Sequence, residues 1–153
     1  MANIVFNIAK GRVAELYDRV KSNDPANSAI ILIPIETSGL EADSVLIDAD
    51  TVAAVLAGAT NEQSTMGRKT LTDSDLASIP APDDTNDRNE RSLPTVTWAA
   101  ASGNAISKIL VAYDSDTTGG TDSNLIPLTM FDFAQTPSGA DVQMTTGVFF
   151  RAS

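Results

Sequence analysis

The stretch "YDSDTTGGTDSN", residues 113–124, gathers three aspartates around a glycine pair. A calcium loop of the helix–loop–helix type needs oxygen ligands at loop positions 1, 3, 5, 7 and 9, glycine at 6 and a bidentate glutamate at 12. With Asp114 at position 1, Asp116, Thr118, Gly119 and Asp122 fall at 3, 5, 6 and 9, but position 12 is Leu125, which has no oxygen to offer. The flanking residues also read as strands. The stretch therefore reads as a wide hairpin loop, with glycines for positive φ and aspartates that hydrate the backbone. No metal and no cofactor is expected.

Other constellations are weaker still. "GRKT" at 67–70 resembles the end of a phosphate-binding loop, but Arg68 separates Gly67 from Lys69 and position 62 is glutamate where glycine is required. It reads as the start of a strand. Paired carboxylates can hydrolyse glycosides without histidine, and Asp73/Asp75 and Asp83-Asp84 are pairs. They sit among turn residues, with few aromatics to line a sugar cleft, and read as solvated surface. The chain has no cysteine and no histidine. Disulfides, thiolate metal sites, the usual zinc ligand and every Ser-His or Cys-His arrangement are thereby excluded. Catalytic residues: none. Trp98, in mid-strand among alanines, reads as core.

The elements that must carry these residues are mostly strands. "NIAKGRVAELYDRVKSNDP" reads as a first helix, with Ala9, Val13, Leu16, Tyr17 and Val20 at helical spacing. Asn7 is placed to cap it and Asn23-Asp24-Pro25 to end it. Gly11 weakens its first turn by about 1 kcal/mol relative to alanine. Residues 1–7 form an extended stub ahead of it. "SAIILIPIETSG" is a strand covered on both faces, in which Pro34 implies an edge or a bulge. "DADTVAAVLAGA" is a second short helix, capped by Asp48 or Asp50 and closed by Gly58.

"GRKTLTD" reads as a strand and "DSDLASI" as one helical turn. Residues 80–94 read as a long exposed loop, too polar and proline-rich to bury. In "TVTWAAA", Val96, Trp98 and Ala100 share a face. "AISKILVAYD" and "NLIPLTMFDFAQ" are strands joined by the acidic loop. "VQMTTGVFFRAS" is a last strand, with Val142, Met144, Val148 and Phe150 alternating against Gln143, Thr145 and Gly147. With 153 residues and 42% hydrophobic content, the expected fold is one mainly β (α+β) domain over 1–153. It is an antiparallel β-sandwich or partly closed barrel, with the two short helices of the N-terminal half packed at one end.

Formal net charge is −10, with 20 acidic against 10 basic side chains. Such a surface repels phosphate backbones, so nucleic acid is not an expected partner. No apolar run approaches the roughly 20 residues that cross a bilayer, so no membrane is expected either. The start lacks the pattern of a signal peptide, which implies synthesis in the cytoplasm.

The stretches "FNIAKGRVAELYDRVKSNDPANSAIILIPIETSGLEAD", "LTDSDLASIPAPDDTNDR" and "TWAAASGNAISKILVAYDSDTTGGTDSNLIPLTMFDF" together resemble a family of small virion structural proteins of tailed bacteriophages. The resemblance covers nearly the whole chain and rests on framework and turns, not on catalytic motifs. It implies a non-enzymatic capsid cement or decoration protein, made in the host cytoplasm and bound to the major capsid protein on the outer surface of the shell. A tail- or fibre-associated structural protein is the alternative, and a virion glycan hydrolase a third. Docking contacts are expected from segments the core does not need: Ile4, Val5, Phe6 and Asn7 of the stub, and Pro80, Pro82, Asp83, Asp84, Arg88 and Arg91 of the loop. Arginine forks can pair with a neighbour's carboxylates. Closed symmetry makes a dimer or trimer the expected self-assembly.

Overall fold

Ala29–Glu36 is apolar at almost every position because it lies inside a sheet with both faces covered. A computed structural model describes residues 3–152. Its largest sheet is antiparallel throughout, in the order β1 (Asn3–Val5), β7 (Ile126–Gln135), β6 (Ile106–Asp114), β2 (Ala29–Glu36), β3 (Lys69–Leu71). Successive side chains of a strand point to opposite faces, and the core divides accordingly. Ile30, Leu32, Ile109, Val111 and Leu128 belong to one cluster. Ile31, Ile33, Ile35, Leu110 and Met130 belong to the other.

Each face has its own cover. On the first lies α1 (Val13–Lys21), which buries Val13, Leu16, Tyr17 and Val20 as the helical spacing requires. Beside it runs a long antiparallel ribbon. Its outer half pairs β4 (Asn89–Leu93) with β9 (Gly147–Ala152), and its inner half pairs β5 (Val96–Trp98) with β8 (Val142–Met144). Pro94, which has no N–H to give a ladder, interrupts it. There the Thr146 N–H donates to Thr95 Oγ1 (3.1 Å) and Thr146 Oγ1 donates to the Leu93 carbonyl (2.9 Å), so threonine hydroxyls replace the missing rungs. The second face is covered by Phe6 and by two one-turn helices, α2 (Asp43–Leu46) and α3 (Val52–Val55).

The fold is therefore mainly β, of α+β type, with antiparallel sheets that do not close into a barrel. Among the described residues there are three α-helices instead of two, and they lie on opposite faces of the sheet, not together at one end. Pro34 sits beside irregular pairing, as expected: the β2–β6 register shifts at Ile35/Glu36, and β3 has already parted from β2 after Leu32.

Several local expectations are corrected. The first helix is split, because Gly11 takes φ +80°; Asn7–Ala9 is a separate 3-10 turn. Asn7 caps nothing and instead donates through Nδ2 to Asp48. Thr51, not Asp48 or Asp50, caps α3, its Oγ1 accepting from the Ala54 N–H at 3.1 Å. Gly58 is no left-handed cap; a Cβ there would stand 2.4 Å from the Glu41 carboxylate, which would have to swing aside. Ala100, at φ +47°, has turned out of the face shared by Val96 and Trp98 and is exposed. The ribbon bend also changes the phase of the last strand. Phe149 is buried while Val148 is 43% exposed, so Val148 and Phe150 do not continue the face of Val142 and Met144.

Candidate docking surfaces

The expected anchors do not form one surface. Ile4 and Val5 are built into the sheet, opposite Met130 and Thr129 of β7. Phe6 is fully buried, and its N–H donates to the Leu128 carbonyl at 3.0 Å. The Asn7 N–H donates to the Ile47 carbonyl at 2.8 Å. The described part of the stub is thus core and edge strand, not a free arm. Three apolar residues and an asparagine, too few to show a period, gave no sign of which neighbour they would join.

Arg91 is the second correction. It lies in β4, which takes residues 89–93 out of the expected loop, and is only 3% exposed. Its Nε and Nη2 both donate to the Asp18 carboxylate of α1, each at 2.7 Å. Nη1 donates to the Glu90 carbonyl at 3.0 Å and to Asn89 Oδ1. The guanidinium stands 6.0 Å from the centre of the Tyr17 ring, whose hydroxyl donates to the Ser92 carbonyl at 3.0 Å. Arg91 fastens helix to ribbon and offers nothing to a partner.

What remains of the loop is a tip, residues 80–88, closed on itself. The Asp83 N–H donates to the Arg88 carbonyl (2.8 Å) and the Arg88 N–H to the Asp83 carbonyl (3.2 Å). The Asp83 carboxylate accepts from Asn86 Nδ2 (2.8 Å) and Arg88 Nε (3.0 Å). Arg88 and Arg151 both reach Glu90, at 3.6 and 2.6 Å, so charges alternate along the end of the ribbon. Pro82, Asp83, Asp84 and Arg88 of the expected set meet Asp87, Asn89 and Ala152 around a shallow groove of about 340 Å³. Pro80 is exposed on the approach. The Arg88 fork is occupied within the tip, whereas Asp84 and Asp87 are exposed and have no ion-pair partner among the described residues.

The acidic loop is held by its own turns and by one arginine. The Asp116 N–H donates to Asp114 Oδ1, and the Thr118 N–H and hydroxyl donate to Asp116 Oδ1. Asp122 accepts from Arg68 through both oxygens, at 2.6 and 3.0 Å, and Arg68 also grips Glu62 at 2.9 and 2.5 Å. A residue of the dismissed "GRKT" thus ties the loop to the edge of β3. On the other face Lys108 joins Asp43 (3.1 Å) and Asp132 (3.0 Å), fixing α2 over β6 and β7. Among the described residues no group of three or more acidic side chains is placed to hold a metal ion, and no helix is long and apolar enough to cross a membrane.

These contacts set a pH dependence. Hydrogen bonds from Arg68 hold the Asp122 carboxyl below its ordinary value, Asn86 and then Arg88 do so for Asp83, and Thr118 for Asp116. A carboxyl depressed in the folded state stabilises it above the unfolded pKa and ceases to do so as pH falls through the folded value. With no histidine in the chain, no side chain with an ordinary pKa titrates between about pH 5 and 8. The thermal midpoint is expected to be flat across that range and to fall below about pH 4, with a shallower fall in Arg68→Met. A step in midpoint near neutral pH would contradict this assignment.

A further surface was not foreseen. At the ribbon's bend Leu93, Met144, Val148 and Phe149 stand over Phe131 and Phe133 of β7 and leave a half-open cavity of about 160 Å³. Gln143 and Thr145 add the polar rim, and no lining residue is charged. The sequence carried one trace of it, the adjacent Val148-Phe149-Phe150, of which a strand buries only every second residue.

Comparison with protein-family models, with curated proteins and with solved structures gave no match.

Proposed function

We propose that the protein is a non-enzymatic structural protein of a tailed-bacteriophage virion, of cement or decoration type, which binds the major capsid protein at the outer surface of the shell. The observation that carries this reading is the resemblance of three framework stretches spanning nearly the whole chain. The geometry is consistent with it in one respect: the second stretch, residues 71–88, ends in the self-closed tip. A tip already fixed by the Asp83–Arg88 rungs and by Pro80 and Pro82 gives up little conformational freedom on contact, so more of the contact energy remains as affinity. Asp84 and Asp87 point to a basic site on the capsid subunit, in place of the arginine-to-carboxylate contact that the sequence suggested.

The double substitution Asp84→Lys/Asp87→Lys tests the tip. Both residues are exposed, but Asp87 takes φ +49°, where aspartate is better tolerated than lysine, so stability should fall by about 1 kcal/mol and the variant should remain folded. Like charges brought together at a contact cost several kcal/mol. Occupancy of heads assembled without the protein should therefore fall at least about tenfold at a fixed subsaturating concentration. Binding by the parent should weaken with added salt. Equal occupancy by parent and variant, with no salt dependence, would remove the tip from the interface.

A further inference from the structure

We infer that the apolar cavity at the ribbon's bend is where two copies of this chain associate, each placing its Val148 in the cavity of the other. A two-fold contact requires one patch that fits itself, because both copies present the same residues. The bend supplies both halves. The cavity, about 160 Å³ between the ribbon and Phe131 and Phe133, has room for an isopropyl group. Val148 stands on its rim, 43% exposed, because the bend turns Phe149 inward and leaves the preceding side chain outside.

Electrostatics favour a second copy at this place. Each chain carries a net charge of −10, so copies repel wherever their acidic surfaces meet. The cavity lining has no charged residue, so the lining itself sets no carboxylate against a carboxylate. The other large exposed apolar side chains lack this setting. Val45, 59% exposed, follows Asp43 on α2, and Ile79, 44% exposed, leads into the acidic tip. The dimer's place in a virion rests on the proposed shell-binding function; its formation in solution does not.

Sedimentation equilibrium of the parent, Val148→Glu and Val45→Glu distinguishes the cases, with circular dichroism confirming that each is folded. The parent should approach twice its 16.0 kDa chain mass as concentration rises. Val148→Glu places two carboxylates at an apolar contact and should raise the dissociation constant at least about 100-fold. Val45→Glu should match the parent. A parent that stays monomeric, a trimer, or a dimer indifferent to Val148→Glu would each overturn the inference. If the parent is monomeric and Val148→Glu no longer fills heads, the cavity receives a capsid segment instead of a second copy. A parent dimer that fails to bind heads leaves this inference standing and refutes the shell-binding function.

Discussion

Trp98→Ala is expected to remove a large share of the domain's stability while leaving a measurable unfolding transition. The indole is 1% exposed, lies between the ribbon and the sheet, and packs against Phe133 with ring centres 6.3 Å apart. Its Nε1 donates to the Gly67 carbonyl at 2.9 Å, and Lys69 Nζ stands 6.0 Å from the ring centre. Truncation removes the largest buried side chain beneath the ribbon, opens a cavity and leaves the Gly67 carbonyl without this donor. The cost is about 3–5 kcal/mol, against a total stability on the order of 5–15 kcal/mol for a domain. Trp98→Phe keeps most of the volume and loses the hydrogen bond, about 1 kcal/mol. Urea midpoints should therefore fall in the order parent, Phe, Ala. An alanine variant with an unchanged midpoint would show that the ribbon does not depend on this residue.

Arg91→Ala is the second large effect. It cuts two charge-assisted hydrogen bonds between α1 and β4 and uncovers the face of Tyr17. Breaking a buried pair costs about 3–5 kcal/mol; because the Asp18 side chain keeps 29% of its exposure and can regain water, the lower end applies. Asp18→Ala leaves the better-buried charge without its carboxylate and should cost at least as much. The two do not add, since either one abolishes the same contact, and the double variant should fall short of the sum by about 0.5–3 kcal/mol. Strict additivity in urea unfolding would mean that the pair contributes nothing. Loss of the proposed shell binding by Arg91→Ala would follow from a loosened contact between α1 and β4, which is why the tip must be tested through Asp84 and Asp87.

The sequence made legible what repeats. The stripe Ala9, Val13, Leu16, Tyr17, Val20 and the doubly covered Ala29–Glu36 are recorded in periodicity, and both are buried as that pattern requires. Val96 and Trp98 follow from alternation. What stayed hidden depends on single dihedrals or on distant partners. Gly11 reads as a weak helical residue until its φ of +80° divides the element. The slip in phase between Met144 and Phe149 comes from Pro94, some 50 positions away in sequence, and from the hydroxyls of Thr95 and Thr146, which take over backbone pairing there. Asp18 and Arg91 are 73 residues apart, and Arg68 and Asp122 54 apart. No local pattern announces such pairs, and an arginine among turn residues looks solvated until its carboxylate is placed. The same ignorance made the stub look free and the loop look long.

The central claim is that this chain is a component of the outer shell of a phage head. Tailed-phage heads assembled without the proposed decoration protein should be mixed with the purified chain and imaged by electron cryomicroscopy. The account predicts added density at regular symmetric positions on the outer surface of the capsid, contacting the major capsid protein through residues 82–88. It also predicts that the decorated heads withstand a higher temperature than bare ones. Bare heads after saturating addition, with the protein recovered on tails or on neither structure, would contradict it.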